Sequence, residues 1–346
     1  MTYTASDPGS LAHILPIIWA GLIGFAVLAY VVLDGFDLGV GILFAAERDY
    51  EERTVMVNAI APMWDGNETW LILGGGGLFA VFPLAYAVIM TAMYPTIIAM
   101  LLALMFRGVA FEFRFRADSL RGRFWWDIAF FAGSTIAAFA QGLTLGGLLQ
   151  GVHVHGRAYA GGSWDWLDAF TILCGFAVTA GYALLGATWL IWRTEGEMQR
   201  RMRRYAEGLG AVVLVFIGLV SLWTPFLNPI FYTRWFTWPG VALTAPIPVI
   251  LAGLAVLFYV GLVRRHHATP FFSVIGWFVL CFAGLGISIW PNLVPPSITV
   301  WDAAAPPSSQ LFLLVGASVL LPIILAYTGY SYWVFRGKVG TGTTYH

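Results

Sequence analysis

Nine stretches of the chain are apolar over about the twenty residues that a helix needs to cross hydrocarbon. They run near 14–43, 54–82, 85–107, 124–150, 165–192, 207–227, 243–263, 270–290 and 309–335. Only helices or closed barrels satisfy the backbone inside a bilayer, and runs of this length are helical. The pattern predicts an all-α, polytopic integral membrane protein forming a single transmembrane domain over 1–346. The longer runs are expected to tilt or protrude. No connection between runs is long enough for a soluble domain. The mixed-charge stretch 195–207 keeps a helical period and reads as a solvated extension.

Composition agrees with the pattern. The chain is 59% hydrophobic and 10% charged, where a soluble domain carries roughly 25% charged residues. The formal net charge is zero, which suggests no nucleic-acid partner. Cys174 and Cys281 each lie inside an apolar run and read as packed free thiols. No Lys or Arg precedes the first run, so a signal peptide's basic segment is lacking.

Charge placement orients the spans. With nine crossings, Arg48, Arg53, Arg107, Arg114, Arg116, Arg121, Arg123, Arg193, Arg200, Arg201, Arg203, Arg204, Arg264, Arg265, Arg336 and Lys338 fall on one side. Arg157 and Arg234 fall on the other, a split of 16 to 2 among the 18 basic residues. The positive-inside rule then predicts an external N-terminus and a cytoplasmic C-terminus. The opposite loops are rich in Trp, Tyr, Phe and Pro and read as an interfacial aromatic belt.

Against this background the acids stand out. Asp34 and Asp37 lie near the end of the first run; Asp65 and Glu68 lie in the second, inside Trp64-Asp65-Gly66-Asn67-Glu68-Thr69-Trp70. Each acid costs roughly 2.5–3.5 kcal/mol to insert at the centre of a span. Each pair is spaced three apart, on one helix face. The nearest cation at comparable depth is Arg107. Four acids against one arginine cannot all keep their charge there, so the group is expected to share protons. On the expected spans the acids form a series entered from the cytoplasm, with Asp65 deepest. Two readings stay open: a proton path, or an ion-pair cluster holding three helices in register.

Gly74 to Gly77, Gly142, Gly146, Gly147, Gly284 and Gly286 sit inside apolar runs. Tight helix packing is the plain reading, and a locally loosened helix beside a polar path is the other. The six histidines are His13, His153, His155, His266, His267 and His346, and none lies deep in a run. Haem iron usually takes a His, Cys or Tyr ligand, so no haem is expected on this chain. His153-Val154-His155 lacks a further ligand cluster, and no metal site is expected. Nucleotide-binding and hydrolase motifs are missing.

The segments Leu33-Asp34-Gly35-Phe36-Asp37-Leu38-Gly39-Val40-Gly41 and Ile60 to Leu71 resemble subunit II of the cytochrome bd-type quinol oxidases. So do Gly147 to Gly151, Ser297 to Asp302 with Ser308 to Leu311, and Pro322 to Thr328, in family order over nearly the whole chain. Gly181 to Trp189 and the compact outer loops resemble the cyanide-insensitive branch. The resemblance implies two four-helix bundles plus one helix. It implies a haem-free partner of a subunit I that carries haems b and d, in a bacterial inner-membrane complex oxidising quinol and reducing dioxygen to water. It implies cytoplasmic proton supply through the positions matching Asp34, Asp37 and Asp65, with Glu68 in the same motif and Trp64, Asn67 and Arg107 as supporting neighbours. It leaves room for a bound quinone, membrane lipid and small single-helix subunits. A proton-coupled secondary transporter would share buried acids and glycine-interrupted helices, and is the alternative from another class.

Overall fold

The structure, a computed structural model, describes residues 9–340. The first helix, α1 (Leu11–Leu43), ends in one 3-10 turn, Phe44–Ala46. The helices that follow are α2 (Tyr50–Asn58), α3 (Trp64–Val81), α4 (Pro83–Ala92), α5 (Tyr94–Arg116) and α6 (Leu120–Gln150). A small hairpin, β1 (Val154–His155) with β2 (Ala158–Tyr159), leads to α7 (Ala169–Arg193) and α8 (Gly196–Leu227). Then come α9 (Pro229–Phe236), α10 (Gly240–Thr244), α11 (Pro246–Val263) and α12 (Thr269–Ile289). A second hairpin, β3 (Asn292–Val294) with β4 (Ile298–Thr299), precedes α13 (Pro307–Val334).

Eight helical stretches are long and apolar enough to cross a membrane, and nine if α3 and α4 count as one bent span. The expected run 54–82 is two helices, because Pro62, which has no backbone N–H, sits in the turn between α2 and α3. The expected run 85–107 is also divided. Pro83 opens α4 and Pro95 lies in the first turn of α5. At Phe82 the axis bends by 119° between α3 and α4, since a residue before proline is pushed out of the helical region. The 195–207 stretch is helical as expected and continuous with α8.

Helices α1, α3, α5 and α6 pack as one group, and α7, α8, α11 and α12 as a second. The groups meet where α7 lies against α1 and α6. Helix α13 touches α1 and α3 only sparsely, and its apolar side chains remain mostly outward. This is the arrangement of two four-helix bundles and one further helix.

Glycine sets the closest crossing. A Cβ on Gly39 of α1 would fall 1.8 Å from the Tyr182 carbonyl of α7, and one on Gly186 would fall 2.3 Å from the Gly39 carbonyl carbon. Only hydrogen fits there, so backbone meets backbone. The glycine run 74–77 is divided: Gly74 and Gly77 lie against Val27 and Ile23 of α1, whereas Gly75 and Gly76 have open space. Cys174 is buried as expected, but Cys281 faces outward from α12. An apolar run therefore does not by itself bury a thiol, because half of a bilayer helix can face outward.

Opposite the acid-bearing ends, contacts tie the first bundle to the segment that leads into α13. Trp19 Nε1 donates to the Gln310 carbonyl across 3.1 Å, and the Ala305 N–H donates to the Val81 carbonyl across 2.8 Å. His13 stacks on Trp301 at 4.8 Å. His153 is exposed beside Asp165, at 3.6 Å. The Gly162 N–H holds the Asp165 carboxyl below its ordinary range, and partial burial is the main cause that pushes Tyr159 up to about 12.

Candidate functional site: a buried acid–arginine cluster

Helix α1 presents Tyr30, Asp34 and Asp37 at spacings of four and three, one stripe of a helix. Both acids are fully buried, as is Arg107 of α5. Arg107 Nη1 donates to Asp34 Oδ1 across 2.7 Å. The same Nη1 lies 3.8 Å from Glu68 Oε2, and Nη2 lies 4.0 Å from Asp37 Oδ2. One guanidinium thus faces three carboxyl groups from two helices.

The remaining polar atoms orient these groups. Asn67 Nδ2 donates to Asp37 Oδ2 across 2.7 Å, and its Oδ1 accepts from the Tyr332 hydroxyl of α13 across 2.8 Å. The Trp64 ring lies 5.9 Å from the Arg107 guanidinium and packs on Phe111 at 5.0 Å. On the other flank, the Tyr30 hydroxyl lies beside Asp34. Gln141 Nε2 of α6 donates to that hydroxyl across 2.8 Å, and Gln141 Oε1 accepts from Tyr182 of α7 across 2.7 Å. Asp34 Oδ2 and Asp37 Oδ1 are buried with no hydrogen-bond partner among the described residues.

The sequence-predicted residues are therefore only partly brought together. Asp34, Asp37, Asn67, Glu68, Trp64 and Arg107 converge. Asp65 does not: it sits on the first turn of α3, exposed on the outer surface, with no ion pair or hydrogen bond among the described residues. At about 100° per residue, Asp65 lies roughly 200° round the helix from Asn67, so burying Asn67 turns Asp65 out, with Glu68 on the flank between them. The expected series with Asp65 deepest is thus replaced by an order across the helix. Asp34 and Asp37 lie inside, Glu68 has 27% of its side chain exposed, and Asp65 is outermost.

Tyr30, Gln141, Tyr182 and Tyr332 were not singled out from the sequence. Tyr30 was legible as the residue four before Asp34 on the same stripe, and Gln141 as an amide in the middle of an apolar run. Tyr182 and Tyr332 carry no such signal, because tyrosine is common at membrane interfaces.

Residues 15–335 match the family model for cytochrome bd terminal oxidase subunit II. The chain belongs to that family. It is 33% identical to the cytochrome bd-I ubiquinol oxidase subunit 2 of Escherichia coli K12, over 94% of this chain and 96% of that protein. It is 31% identical to the cytochrome bd ubiquinol oxidase subunit 2 of Bacillus subtilis, over 93% and 96%. The solved bd oxidase of Geobacillus thermodenitrificans includes a chain of the same fold, with a TM-score of 0.75 at 17% identity over 93% of this chain and 99% of that one. As a bd oxidase subunit II, the chain is part of an oxidoreductase complex and a multi-pass protein of the inner membrane.

Proposed function

We propose that this chain is the haem-free subunit of a quinol:dioxygen oxidoreductase, and that it carries protons from the cytoplasm towards a haem-bearing subunit I. The carrying observation is the order of acids from α1 outward across α3. Asp34 and Asp37 are tied to Arg107, Arg107 reaches half-exposed Glu68, and Asp65 follows on the outer surface. An acid facing outward from a membrane helix is costly against lipid and calls for a polar partner. A subunit I docked on the outer face of α3 would supply one and receive the proton.

The histidines support a haem-free role. His13 is stacked on Trp301, His153 and His155 lie in the first hairpin segment, His266 and His267 lie between α11 and α12, and His346 lies outside the described residues. These positions do not fit an axial ligand within the bundles, so the haems b and d of such an oxidase are assigned to subunit I. No step on this chain runs through them. This chain holds and passes protons; reduction of dioxygen belongs to the partner.

The deciding experiment is Asp65→Asn, read as oxygen turnover per assembled haem. Asn keeps the size but cannot exchange a proton. Turnover should fall by about tenfold or more, the scale of losing a proton-transfer group, while haem content persists. Wild-type turnover per haem would remove Asp65 from the path.

A further inference from the structure

A second ionic cluster lies at the acid-site end of the first bundle, where α2, α5 and α6 meet. Asp127 of α6 accepts from Arg53 Nη1 of α2 across 2.8 Å and from Arg114 Nε of α5 across 2.6 Å. Both carboxylate oxygens are thereby taken. Arg114 is 1% exposed and Asp127 6%. Arg114 Nη1 donates to Thr54 Oγ1 across 3.2 Å, whereas its Nη2 is buried with no acceptor among the described residues. A third guanidinium, Arg123, lies 5.2 Å from the Tyr50 ring, which Arg114 also faces at 4.6 Å.

Of the neighbouring acids, Glu47 and Glu52 share Arg201, and Asp49 caps α2. Glu47 accepts from the Arg48 and Asp49 N–H groups and pairs with Arg201 at 3.2 Å. Asp49 caps α2 through the Glu51 and Glu52 N–H groups. Within this group two guanidiniums face one carboxylate, and Arg114 is out of water. Buried charge needs a counter-charge, and guanidinium is well matched to phosphate.

Beside Arg53 and Asp127 lies a cavity of about 100 Å³, open to the surface and otherwise walled by Phe44, Ala45, Phe124, Ile128 and Phe131. The adjoining turns of α6 expose Leu120, Phe124 and Trp125. We propose that this cavity seats the phosphate of an anionic membrane phospholipid. Arg53 donates to it, and the surplus charge of the Arg53–Asp127–Arg114 group holds it. The apolar walls select a lipid over a free anion, because the start of an acyl region can cover them. Basic pockets between membrane helices at the headgroup layer take such lipids. The site needs only that this end of the bundle meets a headgroup layer, so it stands apart from the proton path.

Native mass spectrometry of the delipidated two-subunit complex, titrated with phosphatidylglycerol, phosphatidylcholine or inorganic phosphate, tests this. Wild type should retain one more phosphatidylglycerol than Arg53→Gln, with affinity lowered about tenfold in the variant, the scale of one charge-assisted contact. Ala45→Trp, which fills the cavity and removes no member of an ion pair, should lose the same lipid and answers the question if Arg53→Gln fails to assemble. Asp127→Asn, which enlarges the surplus charge, should retain it. Equal retention of phosphatidylcholine, unchanged retention in Ala45→Trp, or displacement by millimolar inorganic phosphate would overturn the proposal. So would a wild-type complex that retains no such lipid, which would point to a carboxylate of subunit I as the counter-charge.

Discussion

Arg107 and Asp34 share a 2.7 Å hydrogen bond with both side chains out of solvent, on helices 73 residues apart in the chain. Nothing else of positive charge reaches Asp34, Asp37 or Glu68 within an ion-pair distance among the described residues. Removing the cation should therefore be worse than removing one acid. Breaking one partner of a buried pair costs about 3–5 kcal/mol. Arg107→Gln is expected to lower the amount of assembled complex several-fold, with haem falling in step. Asp34→Asn, which leaves two acids facing the arginine, is expected to assemble better than Arg107→Gln. Quantifying complex per cell by haem spectrum and blot checks the order, and equal losses would argue against a shared cation.

The crossing of α1 and α7 leaves no room for a side chain. Gly186→Leu places carbon where the Gly39 backbone runs, at 2.3 Å from Cβ alone. Assembly should be lost or the melting temperature should drop sharply, as for overpacked cores. Gly76→Leu, with open space around it in the isolated fold, is expected to leave the chain's own fold intact. If it blocks recovery of the two-subunit complex, the outer face of α3 is the docking face.

Orientation follows from charge. The loops carrying Arg200, Arg201, Arg203 and Arg204, and the segment with Arg336 and Lys338, are proposed to be cytoplasmic. Reporter fusions after residue 340 should be active in the cytoplasm, and fusions near residue 160 outside. The reverse pattern would invert the direction of proton supply.

Expressed without its partner, the chain is expected to show no stoichiometric haem absorbance, since the histidines among the described residues lie at helix ends and in loops. A haem Soret band from the isolated, purified chain would overturn the assignment of haems to subunit I.

The fold class was largely legible. Length and continuity of apolar runs locate helices because the bilayer allows little else. Breaks were less legible: Pro62 and Pro95 interrupt runs whose hydropathy stays high, so an apolar window passes over them, whereas Pro83 falls in the expected gap between runs. At the site, spacing on α1 correctly grouped Asp34 with Asp37, and WDGNE drew attention to the right turn of α3. It did not reveal which way each residue faces. A helix apolar on both sides carries no amphipathic phase, so only packing against α1 and α5 separated inward Asn67 and Glu68 from outward Asp65.

The long sequence separation within the cluster bears on biogenesis. Asp34 and Asp37 emerge from the ribosome long before Arg107 does, and Tyr332 completes Asn67's hydrogen bonding only when α13 has been made. The acids sit near the end of α1, so its apolar N-terminal part can insert on its own, while the acid-bearing end lacks its counter-charge until α5 arrives. That end must be kept near water or against neighbours until Arg107 has been made.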